Sequence, residues 1–146
     1  MIEIDRSLEA EALIGKVWAI VADLENEHRP WTEFRGVRIL SRTESMVERE
    51  VMIRRGPLGE EKSLQTLAID PDRRTTTLTM TRGPMLGTRK MTLTGVGKER
   101  TKICVGWKVE MKGVPGFAMG FARDGISGAT EKALARIAEK AARGRP

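Results

Sequence analysis

Tyrosine is absent from this 146-residue chain, and histidine and cysteine occur once each, as His28 and Cys104. One cysteine excludes an intrachain disulfide and every paired-cysteine zinc motif, and one histidine excludes a histidine cluster. Any catalysis would have to lean on carboxylates, arginine, lysine or hydroxyls. Long apolar runs are missing too. The longest, residues 17–22, has six residues, against the roughly 20 that a membrane-spanning helix needs. The N-terminus reads Met-Ile-Glu-Ile-Asp, with acid where a secretory signal carries base, so a cytoplasmic protein is expected. A lone thiol agrees with a reducing compartment. Aromatics make up only 4% of the chain, and 146 residues suffice for one buried core but not two, which excludes a large multidomain enzyme.

What the chain does contain is regular punctuation. Residues 2–9 alternate Ile2 and Ile4 with Glu3 and Asp5, the pattern of a strand with one buried face. Over residues 11–24 the period changes. Leu13, Ile14, Val17, Trp18, Ile20, Val21 and Leu24 recur at three- and four-residue intervals and predict a helix. Pro30 disfavours helical geometry at Arg29 and breaks that pattern. Turn signals then recur at Arg55-Gly56-Pro57-Leu58-Gly59, Asp70-Pro71-Asp72, Gly83-Pro84, Gly95-Val96-Gly97 and Gly113-Val114-Pro115-Gly116, with a shorter one near Thr43 to Ser45. The intervals have strand length, and Thr77-Leu78-Thr79-Met80-Thr81 alternates polar with apolar. Seven antiparallel strands are predicted, at residues 2–9, 36–42, 46–54, 62–70, 74–82, 86–95 and 102–112, forming a sheet with one wet and one covered face. Residues 117–142 predict a second helix with Ile126, Ala129, Ala133, Ile137 and Ala141 on one stripe, ended by Gly144. Gly120, Gly125 and Gly128 each weaken its first half by about 1 kcal/mol relative to alanine.

The order of these elements, with Ala10, Val17-Trp18, Asp23, Trp31 after Pro30, Ile69-Asp70-Pro71, Gly83-Pro84-Met85-Leu86-Gly87, Thr101, and Ala133-Leu134 before Ile137, resembles the START-like or Bet v 1-like superfamily. Within it, the chain is most similar to the polyketide cyclase/dehydrase and lipid-transport group, over residues 2 to about 142. The resemblance implies an α+β helix-grip fold: a curved seven-stranded antiparallel sheet around a long C-terminal helix, with two short helices after the first strand. It also implies a cavity between sheet and helix for a hydrophobic or amphipathic small molecule, such as a lipid, quinone or polyketide. Some members of the superfamily carry out cyclisation or dehydration in that cavity.

The alternation tests the cavity residue by residue. Leu78, Met80 and Arg82 share one face, Arg89, Met91 and Leu93 share it on the next strand, and Val47, Arg49 and Val51 add a third arginine. Arginine is costly to bury unpaired. These guanidiniums therefore reach water at the strand ends, meet carboxylates, or meet an anionic or carbonyl group of a ligand. Eight methionines, Met80, Met85, Met91, Met111 and Met119 among them, suit either an adaptable cavity or a filled core. Trp31, Trp107, Phe117 and Phe121 are placed as its aromatic flanks or as core covers. The candidate ligand-binding set is Trp31, Arg49, Leu78, Met80, Arg82, Arg89, Met91, Trp107, Met111, Phe117 and Phe121.

Other constellations fail. Gly95-x-Gly97 lacks the third glycine of a dinucleotide loop and precedes a strand, no phosphate loop exists, and Gly116-x-x-x-Gly120 sits in a segment too polar for a membrane helix. The net charge of +6 is scattered and carries no aromatic-basic interleaving, so no nucleic-acid partner is expected. The basic late helix (Lys132, Arg136, Lys140, Arg143, Arg145) is either a solvated face or a surface for transient contact with anionic lipid. No cofactor or metal is expected, and oligomeric state is left open. With no acid/base pair to name, carriage or sensing of a hydrophobic ligand ranks ahead of a cyclase or dehydratase activity. Recognition of protein or RNA through the wet face ranks last.

Overall fold

The computed structural model describes residues 1–54 and 59–143. The expected turn at Arg55-Gly56-Pro57-Leu58 and the helix end at Gly144 lie outside the described residues. Seven strands, β1 (Ile2–Ala10), β2 (Phe34–Arg42), β3 (Met46–Arg54), β4 (Glu60–Asp70), β5 (Thr75–Arg82), β6 (Met85–Gly95) and β7 (Thr101–Met111), form one antiparallel sheet. Its order is β1-β7-β6-β5-β4-β3-β2, so the sheet ends on β1 and β2. Helix α1 (Ile14–Val21) follows β1, and the long α2 (Met119–Arg143) follows β7 through a single 3-10 turn at Gly116–Ala118. Among the described residues, no helix is long and apolar enough to cross a membrane.

One short helix, not two, follows β1. Leu24 to Phe34 instead runs through separate turns, closed by Asn26 N–H to Asp23 O, Arg29 N–H to Asn26 O, Trp31 N–H to His28 O and Phe34 N–H to Trp31 O. Pro30 has no N–H to donate and restrains Arg29, so these turns do not join into a helix. The irregular path is what lets Glu27, His28 and Trp31 turn toward the sheet.

The covered face is built by period-two alternation. Val47, Val51, Leu67, Leu78, Met91, Ile103, Val105 and Val109 are all buried, and Ala133, Leu134, Ile137 and Ala141 of α2 close over them. The Thr101 hydroxyl donates to Ala12 O at 2.8 Å and ties the entrance of α1 to the start of β7. Besides register shifts between β2 and β3, two irregularities lie near the middle of the sheet. Gln65 pairs with Met80, but Leu64 pairs with Arg82, so Thr81 is an extra residue in β5. Such a bulge reverses the facing of everything beyond it. Gly87, which pairs with both Met80 and Val109, has φ +134°. A β-carbon there would overlap the Lys108 carbonyl and press on Val109 Cα. Gly87→Ala is therefore expected to lower the unfolding free energy by about 1–3 kcal/mol, read as a lower urea midpoint. An unchanged midpoint would mean that β6 and β7 can separate there without loss.

Candidate functional site

Two arginines and one glutamate meet beneath the sheet's covered face. Arg49 of β3 and Arg89 of β6 are 0% exposed, and Glu27, from the turns after α1, is 2% exposed. Arg49 Nη1 donates to Glu27 Oε1 at 3.2 Å, and Arg89 Nη2 donates to Glu27 Oε2. Arg49 Nε also donates to Gln65 Oε1 at 2.9 Å, and the Gln65 amide donates to Ser63 Oγ at 3.4 Å. Burial pushes Arg89 down to about 9 and Arg49 down to about 10, below the usual guanidinium range, so both remain cationic at neutral pH. The cluster thus carries two positive charges and one negative.

Aromatic rings surround it. The Arg89 guanidinium lies 4.3 Å from the Trp31 ring centroid and 5.8 Å from that of Trp107, and Arg49 lies 5.8 Å from that of Phe34. Trp31 and Trp107 meet edge to face at 5.7 Å and 76°. Contacts of this kind stabilise a desolvated cation by about 2 kcal/mol each. Trp107 is held from the other side, its indole N–H donating to Thr130 Oγ1 of α2 at 2.9 Å, while the Thr130 hydroxyl donates to Ile126 O.

The same three rings line a cavity of about 250 Å³ between the sheet and the first half of α2. Ile53, Met85 and Met111 extend its wall from the strands, and Ala122, Gly125, Ile126 and Ala129 from the helix, with Glu33 and Arg54 also lining it. The small residues explain the space: alanine and glycine on α2 leave unfilled what a leucine would occupy. His28, half-buried beside the cluster, is held below its usual 6.5 by burial, then by the charges of Arg49 and Arg29. The unfolded chain therefore binds this proton more readily, so the stability contributed by neutral His28 is complete above about 6.5 and declines as the pH falls. His28→Gln is expected to remove the part of that decline lying between 6.5 and the carboxylate range near 4, measured as urea midpoint against pH.

The structure sorts the expected site residues into four groups. Trp31, Trp107 and Met111 line the cavity. Arg49 and Arg89 form the ion cluster at its aromatic wall. Leu78, Met80 and Met91 are buried in the packed core rather than in the cavity lining. Phe117 and Phe121 are corrections, being neither cavity flanks nor core covers, and Arg82 leaves the ligand-facing set for water, one of the alternatives left open for it. Arg82 is exposed because the bulge at Thr81 reverses its facing. Phe117 and Phe121 are 92% and 86% exposed, since the cavity side of α2 is set by Ala122, Ile126 and Ala129, and Phe121 sits about 100° round the helix from Ala122. Glu27, Phe34, Gln65 and Glu33 belong to the site without having been expected there. Ser63, Gln65 and Leu67 alternate on the covered face, which was a readable sign of polar groups facing inward. Nothing in the sequence around Glu27 marks it as buried. Among the described residues no group of three or more metal-ligating side chains occurs.

An antiparallel sheet gripping a long helix, with an apolar cavity between them, defines the helix-grip fold. The chain belongs to the polyketide cyclase/dehydrase and lipid transport family, whose model matches residues 1–142. No curated protein sequence matches it. Among solved structures it is similar to the Zhui aromatase/cyclase of a Streptomyces species, with a TM-score of 0.76 at 14% identity over 97% of this chain and 93% of that one. A START superfamily protein from Mycobacterium smegmatis gives 0.75 at 18% identity, covering 98% and 99%. Truncated norcoclaurine synthase from Thalictrum flavum gives 0.73 at 14%, covering 99% and 94%. At these identities the likeness is one of fold.

Proposed function

We propose that this protein binds a hydrophobic or amphipathic small molecule in the cavity between the sheet and α2, as a carrier or sensor. The carrying observation is the cavity itself: about 250 Å³ walled by Trp31, Phe34, Ile53, Met85, Trp107, Met111 and Ile126. Apolar walls with few polar groups favour transfer of an apolar body from water, at about 25 cal/mol per Å². The volume fits a compact body of one or two rings, or a bent short chain. Native mass spectrometry of the purified protein, followed by denaturing extraction, is expected to release an apolar or amphipathic compound. A protein that carries none, and that takes up no naphthylmethanol in a calorimetric titration, overturns the reading.

The alternative is a polyketide cyclase or dehydratase. It draws on Glu33 and Arg54, a carboxylate and a guanidinium that both line the cavity and could remove a proton and polarise a carbonyl. Carriage is preferred because both residues are exposed to water, while buried Glu27 has each oxygen bonded to an arginine and no free position for a substrate proton. Turnover of a polyketide substrate that disappears in Glu33→Gln, with the fold intact, would reverse that preference.

A further inference from the structure

We propose that the Glu27–Arg49–Arg89 cluster is an anion-binding site that takes one monovalent group, either the carboxylate of the cavity's ligand or a free monovalent anion. The first observation is the charge count. Two guanidiniums face one carboxylate, and Glu27 is the only buried acid among the described residues. Glu33, the nearest acid in sequence beyond it, lies exposed at the cavity. One positive charge is left without a counterion in a place that water reaches poorly.

The second observation is the set of open donors. Arg49 Nη2, Arg89 Nε, Arg89 Nη1 and Trp31 Nε1 are all buried and have no acceptor, and His28 Nδ1 beside them has no partner either. The four open groups on arginine and tryptophan can only donate. They belong to residues already joined through Glu27 and through the Arg89–Trp31 stack, so the open donors all belong to one contiguous cluster. Water could accept these hydrogen bonds but would leave the surplus charge. A monoanion meets both needs, and the planar guanidinium fork matches a carboxylate. A dianion would overshoot.

The third observation is adjacency. Trp31, Phe34 and Trp107 each line the cavity and each lie against a guanidinium, so a ligand body in the cavity sits beside the charge, a ring away. The carboxylate form of the proposal rests on the cavity being a ligand site; the free-anion form does not.

The test titrates the wild-type protein calorimetrically, in chloride-free buffer, with naphthoate, naphthamide and naphthylmethanol, three compounds with one apolar body and different heads. Naphthoate is expected to bind roughly tenfold or more tighter than either neutral compound, as hydrogen bonds to charged groups imply. Arg89→Met is expected to erase that preference while the neutral compounds still bind. Chlorine NMR of added sodium chloride forms the second arm. Line broadening that naphthoate relieves identifies a shared site, and broadening without any naphthoate preference identifies a free anion as occupant. Equal binding of all three compounds with no chloride broadening overturns the anion site and leaves the cavity reading intact. If none of the three binds, the cavity reading fails, and chloride broadening alone then decides the anion site. The wild-type comparisons need no variant, so they stand even if Arg89→Met fails to fold.

Discussion

Glu27→Gln is expected to lower the free energy of unfolding by about 3–5 kcal/mol, the usual loss when one partner of a buried ion pair is removed. The amide keeps the side chain's shape but removes the only negative charge in the cluster. Arg49 and Arg89, both 0% exposed, are then left as two like charges sharing one desolvated space. Arg89→Met should cost clearly less. It leaves Glu27 paired with Arg49, replaces the surplus charge by an apolar side chain, and keeps contact with the Trp31 and Trp107 rings. The prediction is therefore an order as well as a size, read from urea denaturation followed by circular dichroism. Arg89→Met proving the more damaging of the two would mean that Glu27 does not hold the cluster together. Against a net stability of about 5–15 kcal/mol for a typical domain, the glutamine variant forfeits a large fraction.

Ala129→Phe is expected to abolish uptake of naphthylmethanol, by about a hundredfold or more, while leaving the thermal midpoint nearly unchanged. Ala129 is half-buried and lines the cavity between Trp107 and the helix. A phenyl ring entering there takes the volume the ligand would use, and an open cavity accommodates it without the strain of overpacking. Burial of the ring offsets the lower helix propensity of phenylalanine. Uptake equal to wild type would move the binding place away from this cavity. A collapsed fold would mean that the space is occupied by other side chains in solution.

The strands were legible because period-two alternation and turn residues are local. Residues 46–54 were expected and found as Met46–Arg54, and each of the other strands differs by one or two residues at one or both ends. For the same reason Arg49, alternating with Val47 and Val51, and Arg89, alternating with Met91 and Leu93, fell on the covered face, with water, carboxylates or a ligand left open as their partners; the structure shows the carboxylate of Glu27. For Arg82 the alternation left the covered face and water at the strand end both open; a single extra residue, Thr81, reverses the facing and turns it to water, and a bulge has no strong signature in a threonine-rich strand. Phe117 and Phe121 were misplaced because large aromatics are ordinarily core residues, whereas here the helix turns its small residues inward to keep a space open. Glu27 was illegible. It sits in irregular chain with no period to show facing, and its burial depends on arginines distant in sequence, 22 and 62 residues away.

The missing tyrosine, which at first only narrowed the chemistry, gives the molecule an optical simplicity. Its near-ultraviolet emission comes from three indoles alone. One, Trp18, stands on α1 under Arg74, apart from the cavity lining. The other two, Trp31 and Trp107, form the edge-to-face pair against Arg89 and at the cavity wall. Two-thirds of the chromophores thus sit where cargo would enter, so the intensity and colour of the protein's own glow report occupancy without a label. Trp18→Phe would leave a signal arising solely from the site.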